Sequence, residues 1–433
     1  MCSRRSRKHN NVHKRGWQRK SSGKEGFSFD FCVIGGGAAG LAAAVCCARE
    51  DPDKRVAVLE KQPAPAQKIR ATGNGRCNLT NTDSEGYLST LSFFATLGVE
   101  TMEEEAGRIY PLSESAADVA EALVGGCRAE GVEIITSYPA ETLVRCGMEG
   151  DDAAAASKRA SGAASSPHGA GFLINGEIKA AQVLIACGGK AGPSFGCTGD
   201  GYRLARSLGH SVAPVYPVLT GLEAKGMEDL QGVRLKARAE LLRRGVCIAS
   251  ESGEIQFARD GLSGICIMNL SRFVRIGKDT GFGDYAVRIL PAAGRVDLAA
   301  RRAVRGLTAG DLLRSVLPRR AAHHLLQKTL GETALSSPAR LLSDEAVRRI
   351  EALLCGGWVV PLCGARGWKQ AQCSGGGVPL SEVEEKTMAS RLVPGLYFAG
   401  EVLDYNGPCG GFNLNHAWQT GMRAGTAAGR KHV

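Results

Sequence analysis

Three glycines near the start of the chain directly follow a short apolar run. Gly35, Gly37 and Gly40 form G-x-G-x-x-G, and an Ala-rich segment that opens with Ala38 and Ala39 comes next. Glycines at this spacing allow a tight turn, let the backbone approach a pyrophosphate, and let a helix pack closely on a strand. The N-terminus of that helix would face the phosphates. The spacing therefore predicts binding of a phosphate-bearing nucleotide.

A single acidic residue, Glu60, ends the second predicted strand. It lies 20 residues after Gly40, where a carboxylate can accept both hydroxyls of an adenosine ribose. An acid at this position would repel a 2′-phosphate, so the pattern favours FAD or NAD over NADP. The alternative interpretation is an ordinary glycine-rich turn, but strand, helix, second strand and terminal acid all occur in order.

The segment after Glu60 is polar, punctuated by glycine and without periodicity, which is typical of a loop. Residues 67–81 end in Gly-Asn-Gly-Arg-Cys-Asn-Leu-Thr-Asn. Loops beyond the carboxyl ends of parallel strands line the cofactor crevice. We expect Gly75 to allow close approach to a ligand, and Arg76 and Asn78 to offer directed donors. A surface loop stabilised by its asparagine side chains is the alternative.

The end of the chain returns to the pattern of its beginning. An apolar run ends in Gly400-Glu401, and Gly410-Gly411 then opens a helix with spaced Gly and Ala that runs to Gly429. A glycine pair at a helix start places backbone N–H groups and the positive end of the helix dipole at an incoming ligand. Another buried strand ends on the glycine turn Gly188-Gly189.

These motifs sit on alternating strands and helices, which predict an α/β fold. The composition changes near residue 214, where short alternating segments over 215–290 indicate a small β domain and residues 297–354 are predicted to be helical. The residues themselves predict a basic tail (1–29), a nucleotide-binding region, and a region of different composition that begins near residue 214.

The net charge of +11 is concentrated at the N-terminus. Residues 1–29 hold nine Lys and Arg and one acid, a net +8, so the other 404 residues carry only +3 and nothing in them indicates a nucleic-acid surface. The tail is predicted to be disordered. It is a solvated or misassigned start, a segment that binds RNA or anionic surfaces, or an organelle-targeting segment. Residues 151–170 are predicted to be a flexible excursion.

No run of about 18 apolar residues occurs, so the sequence predicts a soluble, cytoplasmic protein without a membrane span. The 15 cysteines lie mostly in apolar segments and include no C-x-x-C and no Cys/His zinc spacing. This usage favours buried free thiols in a reducing cytosol and no metal site.

Three distant segments together resemble one family. They are residues 33–41, residues 73–81, and residues 395–404 followed by 410–413. They look like the YhiN/BaiN-type bacterial flavoproteins, which are NAD(P)/FAD-dependent oxidoreductases, and the resemblance covers nearly everything from residue 30 to the end. Shorter matches lie at 107–111, 187–190, 198–202, 261–264 and 375–378.

The resemblance implies a Rossmann-like FAD-binding domain in two parts (30–213 and 372–433), split by an inserted β-barrel domain (214–371) that carries a helical subdomain. It implies barrel strands over about 214–290 and 355–371, and helices over about 291–354. It assigns Gly400 and Glu401 to the ribityl and phosphate part of FAD and places residues 411–414 beside the flavin ring. The residues expected to bind the cofactor are Gly35, Gly37, Ala38, Ala39, Gly40, Glu60, Lys61, Gly75, Arg76, Cys77, Asn78, Gly188, Gly189, Gly400, Glu401, Gly411, Asn413 and Leu414.

The chain departs from the family pattern mainly on the substrate side. Ala258-Arg259-Asp260 precedes Gly261 where Thr-His is usual, Ile265 replaces the usual proline, and His416 stands where an aromatic is usual. The stretch between Asn81 and the next helix is also shorter than the family's, which would reduce the cover over the flavin.

The expected function is that of an FAD-dependent oxidoreductase with non-covalent FAD. NAD(P)H would be a transient donor, since no second G-x-G-x-x-G occurs, and the acceptor would be a small organic molecule. An activated C=C bond of a steroid-like acid is implied by the resemblance alone. The alternatives are an amine oxidase that uses O₂ and an RNA-associated flavoprotein. Cys77, Cys409 and His416 are considered as catalytic groups and none is assigned; the substrate, donor and oligomeric state stay open.

Overall fold

A computed structural model describes residues 29–146, 171–293 and 296–431. The predicted basic tail, apart from Phe29, and the predicted excursion at 151–170 lie outside these ranges. The strands are β1 Phe29–Ile34, β2 Val56–Leu59, β3 Thr80–Asn81, β4 Thr101–Glu104, β5 Arg108–Pro111, β6 Glu133–Ile135, β7 Leu143–Cys146, β8 Gly171–Ile174, β9 Ile178–Ile185, β10 Ala213–Val218, β11 Leu222–Glu223, β12 Arg234–Arg243, β13 Val246–Ala258, β14 Gly261–Ser263, β15 Tyr285–Pro291, β16 Trp358–Pro361, β17 Gly364–Ala365, β18 Cys373–Gly377 and β19 Leu396–Phe398.

Ten α-helices accompany these strands in the described residues. They are α1 Ala38–Glu50, α2 Gln67–Arg70, α3 Tyr87–Ala95, α4 Ala116–Ala129, α5 Asp200–Ser207, α6 Ile265–Ser271, α7 Leu298–Ala303, α8 Arg319–Leu330, α9 Asp344–Gly356 and α10 Phe412–Gly429. The segment predicted as a loop over 67–81 contains the short helix α2 and a 3₁₀ turn over Thr72–Gly75.

One seven-stranded sheet forms the Rossmann-like part. Its order is β6-β2-β1-β9-β8-β7, and β19 also pairs with β9. Strands β6, β2, β1, β9 and β19 are parallel, whereas β8 and β7 form an antiparallel extension. The apolar residues of β1 are buried, as expected for a central parallel strand covered on both faces. The predicted α/β fold with a Rossmann-like domain is confirmed.

Helix α10 packs unusually close to α1, which fixes where its N-terminus lies. A Cβ added to Gly421 would lie 2.3 Å from the Ala39 carbonyl oxygen, and one added to Gly425 would lie 2.1 Å from that of Ala43. Only glycine permits this backbone contact. The last helix is thereby held against the first, although more than 360 residues separate them.

The inserted region contains a second, antiparallel sheet in the order β16-β15-β12-β13-β14-β11-β17. Its buried face shares one core with the helices, in which Leu325, Leu326 and Ile350 lie with Leu241 and Val287. The edge strands β16 and β17 do not pair with each other within the described ranges, so the closed barrel implied by the resemblance is not confirmed.

Two features of the insert bear directly on the site. Helix α6 interrupts a stretch that was predicted to be entirely β, because its apolar side chains pack on β13, where Gly253 leaves room for Cys266. Strands β10 and β18 pair antiparallel where the chain enters and leaves the insert. A small apolar cluster that includes Val218, Leu219 and Cys373 lies at this junction. The predicted domain boundaries remain predictions.

Candidate active site

A large cleft lies between the Rossmann-like part and the inserted region. Its volume is about 1160 Å³, which exceeds the roughly 300–1,000 Å³ of most small-molecule pockets. The nucleotide end, as we call it, is lined by residues 35–39 and by Glu60 and Lys61. The α10 end is lined by Arg108, Cys409, Gly410, Gly411, Asn413 and Leu414.

The glycines of the β1–α1 turn have two different tasks. Gly35 has φ +113°, and a Cβ on Gly40 would lie 2.0 Å from the Gly35 carbonyl oxygen, so both are needed for the turn itself. Gly37 has φ −91°, and no atom lies within 4 Å of the position of its missing Cβ. The missing side chain thus leaves space at the N-terminus of α1. A phosphate fits this space, because the first N–H groups of a helix attract anions.

Glu60 braces the same turn from the end of β2. One carboxylate oxygen accepts from the Gly36 N–H at 2.8 Å and the other from the Gln62 N–H at 2.8 Å. Each oxygen keeps a further lone pair, and the residue lines the cleft. The carboxylate is therefore held in a fixed position from which it can accept ribose hydroxyls.

Two lysines that line the cleft are paired with carboxylates. Lys61 contacts Asp200, and Lys68 lies 2.6 Å from Glu401, whose other oxygen accepts from the Ser374 N–H and hydroxyl. Burial acts to lower the pKa of Lys68, but attraction to Glu401 outweighs it, and the pKa lies above its usual range. Lys68 is therefore charged at neutral pH, and the Glu401 bonds tie β18 to the Rossmann-like part.

Two glycine-rich motifs that are far apart in sequence, residues 73–81 and 410–413, meet beside the start of α10. The Asn78 amide, oriented to satisfy its neighbours, donates to the Thr80 carbonyl at 2.9 Å and accepts from the Gly411 N–H at 3.2 Å. Asn81 donates to the Gly410 carbonyl at 3.0 Å, and the Thr80 hydroxyl donates to Asn415 at 2.8 Å. Asparagine side chains therefore join the two segments into one wall.

Asn413 lies at the start of α10, but its amide serves the loop before the helix. Its oxygen accepts from the Gly407 N–H and its nitrogen donates to the Gly407 carbonyl, both at 2.8 Å. The N–H groups of residues 412–414 belong to the first helical turn, which has no intrahelical acceptors for them. These backbone N–H groups at the α10 end are suited to bind negative charge.

The α10 end also contains a thiol, Cys409, and an imidazole, His416, whose pKa values are shifted by burial. Burial raises the pKa of Cys409 to about 12, against the opposing influence of Arg272 and Arg108. Burial, assisted by Arg423, lowers the pKa of His416 to about 4. The His416 ring stacks on Tyr405 with a centroid distance of 3.9 Å, and its Nε2 is buried without a partner. With these pKa values neither group is ionised at neutral pH, so Cys409 is a thiol and His416 is a neutral imidazole without an imidazolium proton to donate.

The residues predicted from the sequence are largely brought together here. Those that line the cleft are Gly35, Gly37, Ala38, Ala39, Glu60, Lys61, Arg76, Asn78, Gly188, Gly400, Glu401, Gly411, Asn413 and Leu414. Gly40, Gly75, Cys77 and Gly189 do not line it. Burial raises the pKa of Cys77 to about 12, and Gly189 leaves room for the Ser374 hydroxyl and Glu401. Contact of all these residues with a cofactor remains a prediction.

Sequence reasoning missed several residues that line the cleft. Lys68 stands in the loop segment that was singled out, and its charge was the available signal. Arg108 lies in the matched segment 107–111 but was given no role. Leu219 and Met268 come from the insert, and no local pattern marks them as cleft residues.

No helix in the described ranges is both long and apolar enough to span a membrane. Within the same ranges no group of three or more His, Cys, Asp and Glu side chains could hold a metal ion.

Comparison with known proteins shows a family match along most of the chain. Residues 29–427 match the family model of the HI0933-like protein Rossmann domain. The chain is 35% identical to the 3-dehydro-bile acid Δ4,6-reductase of Clostridium scindens, over 92% of this chain and 98% of that protein. It is 28% identical to the ribosomal RNA dihydrouridine synthase of Escherichia coli, over 90% of this chain and 96% of that protein.

Among solved structures, the chain resembles 3-ketosteroid Δ1-dehydrogenase from Sterolibacterium denitrificans. The TM-score is 0.48 at 13% identity, over 93% of this chain and 99% of that one. The match to the family model covers the described fold from β1 to the last turns of α10. The chain therefore belongs to the HI0933-like family, the YhiN/BaiN-type flavin-dependent oxidoreductases.

Proposed function

We propose that this enzyme uses non-covalent FAD to reduce a C=C bond conjugated to a carbonyl group in a small organic acid, with NAD(P)H as a transient donor. The bile acid reductase supports this substrate class, because it is 35% identical along almost its whole length. A steroid-like acid with an unsaturated ketone is the acceptor that we would test first.

The observation that carries the proposal is the extent of the cleft. It runs from the open space at Gly37 and the fixed carboxylate of Glu60 to a partly apolar wall that contains Leu219 and Met268. At about 1160 Å³ it is larger than the usual space for one ligand. A dinucleotide along the motifs would leave room for a second molecule at the α10 end.

The residues of the chain supply binding and electrostatics, while bound flavin would supply hydride transfer. Glu60 would hold the ribose and the start of α1 would bind phosphate. The free N–H groups of residues 412–414 would stabilise negative charge at the ring end. The Gly411 N–H does not share this role, because it is directed at Asn78.

The test is an anaerobic experiment on purified holoprotein. We expect a yellow protein that releases FAD on denaturation. NADH and NADPH are each tested for flavin reduction, and photoreduced flavin is then mixed with a 3-oxo-4-ene steroid acid. Reoxidation at the rate of product formation supports the proposal. A colourless protein that takes up no FAD, or reduction by amines with rapid reoxidation only by O₂, would contradict it.

A second candidate is reduction of uridine in RNA, and the charge distribution favours it. The charges of residues 30–433 are unevenly distributed, although their sum is close to zero. Residues 214–371 hold 24 Lys and Arg and 15 Asp and Glu, a net +9. The two flanking parts of the Rossmann-like domain together hold 21 against 27, a net −6. A cationic region suits a polyanion, and two relatives are named ribosomal RNA dihydrouridine synthases.

Both candidates involve the same bond chemistry, since the C5=C6 bond of uracil is conjugated to its C4 carbonyl. An RNA fragment is therefore a further acceptor in the reoxidation experiment. RNA retention that weakens steeply with salt and survives deletion of residues 1–28 would favour the insert as the binding surface. Retention that disappears on this deletion would assign it to the tail alone.

A further inference from the structure

One arginine that lines the cleft, Arg108, has neither a carboxylate nor a backbone carbonyl on its side chain within the described ranges. The basic side chains that line the cleft are Lys61, Lys68, Arg76, Arg108, Arg203 and Lys369. Lys61, Lys68 and Arg76 contact carboxylates, and Arg203 contacts backbone carbonyls. Within the described ranges the side chains of Arg108 and Lys369 have no hydrogen-bond or ion-pair partner. Lys369 is exposed on the insert, whereas Arg108 is half-buried on β5.

The missing partner of Arg108 has a specific cause. Glu104 stands directly opposite Arg108 across the β4–β5 pair, where opposite charges normally interact. However, Glu104 binds Arg76 instead, as does Glu114. Arg76 also lies over the Tyr110 ring, 4.2 Å from its centroid. Glu104 and Glu114 thus both pair with Arg76. In the described part of the chain the charge of Arg108 is not neutralised by a carboxylate, and this charge lies in the lining of the cleft.

Arg108 lies beside the start of α10. A Cβ added to Gly410 would lie 3.8 Å from the Arg108 Nε, and Gly410 directly precedes the N-cap residue Gly411. The guanidinium and the free N–H groups of residues 412–414 are therefore two sets of donors at the same end of the cleft. The apolar side chains of Leu219 and Met268 line the cleft as well.

We propose that Arg108 binds the carbonyl oxygen of the acceptor and stabilises the negative charge that this oxygen gains during reduction. The inference rests on the proposed function, in which reduced flavin is the hydride donor. The hydride pair forms a C–H bond at the β-carbon, the C=C electrons shift toward the carbonyl, and the carbonyl π pair moves to oxygen. The enolate then takes a proton from water at the α-carbon, and the carbonyl is restored. A fixed donor at the oxygen is worth about 100-fold or more in rate.

Phenolates test this role without turnover, because they carry the charge of an enolate and cannot be reduced. Binding of a para-substituted phenol to oxidised holoprotein is followed through the flavin absorption spectrum. We expect Arg108→Gln to raise the dissociation constant of the phenolate about 10- to 100-fold, because a charge-assisted hydrogen bond is lost. Arg108→Lys should recover part of the affinity, since it keeps the charge but not the planar fork.

Two control variants separate this role from general effects of charge. Arg206→Gln removes the same charge from an exposed position on α5 that does not line the cleft, and it should leave phenolate affinity unchanged. Lys369→Gln removes the other unpaired cation. If Lys369→Gln weakens phenolate binding and Arg108→Gln does not, the proposal is overturned. FAD content is measured first, and Arg108→Lys carries the test if Arg108→Gln does not retain FAD.

Failure of the proposed function gives a different result. Wild-type reduced flavin would then fail to react with any unsaturated ketone, whatever the phenolate affinities are. In that case a selective loss of phenolate binding in Arg108→Gln would still support Arg108 as an oxyanion site. Equal phenolate affinity in wild type and Arg108→Gln refutes it whether or not the enzyme reduces unsaturated ketones.

Discussion

The two ends of the cleft differ in how completely their polar side chains are satisfied. At the nucleotide end, both oxygens of Glu60 accept backbone hydrogen bonds and Lys61 pairs with Asp200. At the α10 end, Arg108 has no counter-charge in the described structure and the Nε2 of His416 is buried without a partner. Both ends are built on the same Rossmann-like core.

This difference indicates which end is complete before a ligand arrives. A buried polar group that has no partner costs free energy. Such a group is therefore expected where a bound ligand or a function compensates for that cost. At the nucleotide end, backbone hydrogen bonds hold the binding side chain in place without a ligand. At the α10 end, Arg108 and His416 keep polar atoms that only a ligand would pair. Substitutions at the first end should act through the fold and the cofactor, and those at the second through ligand chemistry.

The largest effect should come from the glycine that the turn itself needs. Gly40→Ala forces a Cβ to within 2.0 Å of the Gly35 carbonyl oxygen. We expect a loss of several kcal/mol in the free energy of unfolding, and loss of FAD with it, because backbone overlap cannot be relieved by a rotamer change. Thermal unfolding of the apoprotein measures the first effect and FAD titration the second.

Gly37→Ala is the matched variant for this comparison. Its Cβ meets no protein atom and its φ of −91° suits alanine, so apoprotein stability should change by less than about 0.5 kcal/mol. FAD affinity should nevertheless fall, because the methyl group enters the space assigned to phosphate. If both variants lower stability equally, or if Gly37→Ala leaves FAD binding intact, the assignment of this space is wrong.

Glu60 should give the next largest effect. Glu60→Ala removes an acceptor for the ribose worth about 1.5–3 kcal/mol, which corresponds to about 10- to 100-fold in FAD affinity. It also releases the Gly36 and Gln62 N–H groups, so the turn itself loosens. Glu60→Gln keeps one side-chain oxygen, so its FAD affinity should lie between those of wild type and Glu60→Ala. Wild-type FAD affinity in a folded Glu60→Ala protein would refute the ribose assignment.

Local patterns in the sequence carried much of this site. The β1–α1 turn, Glu60 and the final helix are defined by spacing over a few residues, so they are readable without a structure. Residues 73–81 and 410–413 could be named as candidates, but their joining through Asn78, Thr80 and Asn81 depends on tertiary contacts. The sequence likewise does not predict that Glu104 binds Arg76. Arg108 is its nearer neighbour along the chain, and only the tertiary fold brings Arg76 to Glu104.

Gly411 shows how the structure changes the meaning of a predicted residue. The glycine pair at a helix start predicted an approaching ligand, and the family resemblance implied that this ligand is the flavin ring. The structure gives it φ +101°, and a Cβ there would lie 2.4 Å from the Thr80 carbonyl oxygen. Even Gly411→Ala would therefore disturb the wall of the cleft. A change in the reduction potential of bound flavin in that variant would not show that Gly411 contacts the flavin ring. Close approach to Thr80 is a sufficient reason for this glycine.

The last effect concerns His416 and appears only in acid. Its pKa of about 4 in the folded protein lies below the roughly 6.5 of an unfolded chain. The unfolded state therefore binds the proton first, so stability is fully present above about pH 6.5 and is lost as the pH falls toward 4. This group alone should cost about 2 kcal/mol between pH 8 and pH 5.

His416→Phe isolates that contribution, because phenylalanine keeps an aromatic ring on Tyr405 and has no nitrogen to protonate. The free energy of unfolding in urea is measured for both proteins at pH 8 and pH 5. The variant should lose about 2 kcal/mol less than wild type over this interval, while the two respond alike to salt. An equal loss would mean that His416 is protonated in the folded protein near pH 5, and its Nε2 would then have found an acceptor. In that case the α10 end would be as fully satisfied as the nucleotide end at this residue, and Arg108 alone would carry the contrast between them.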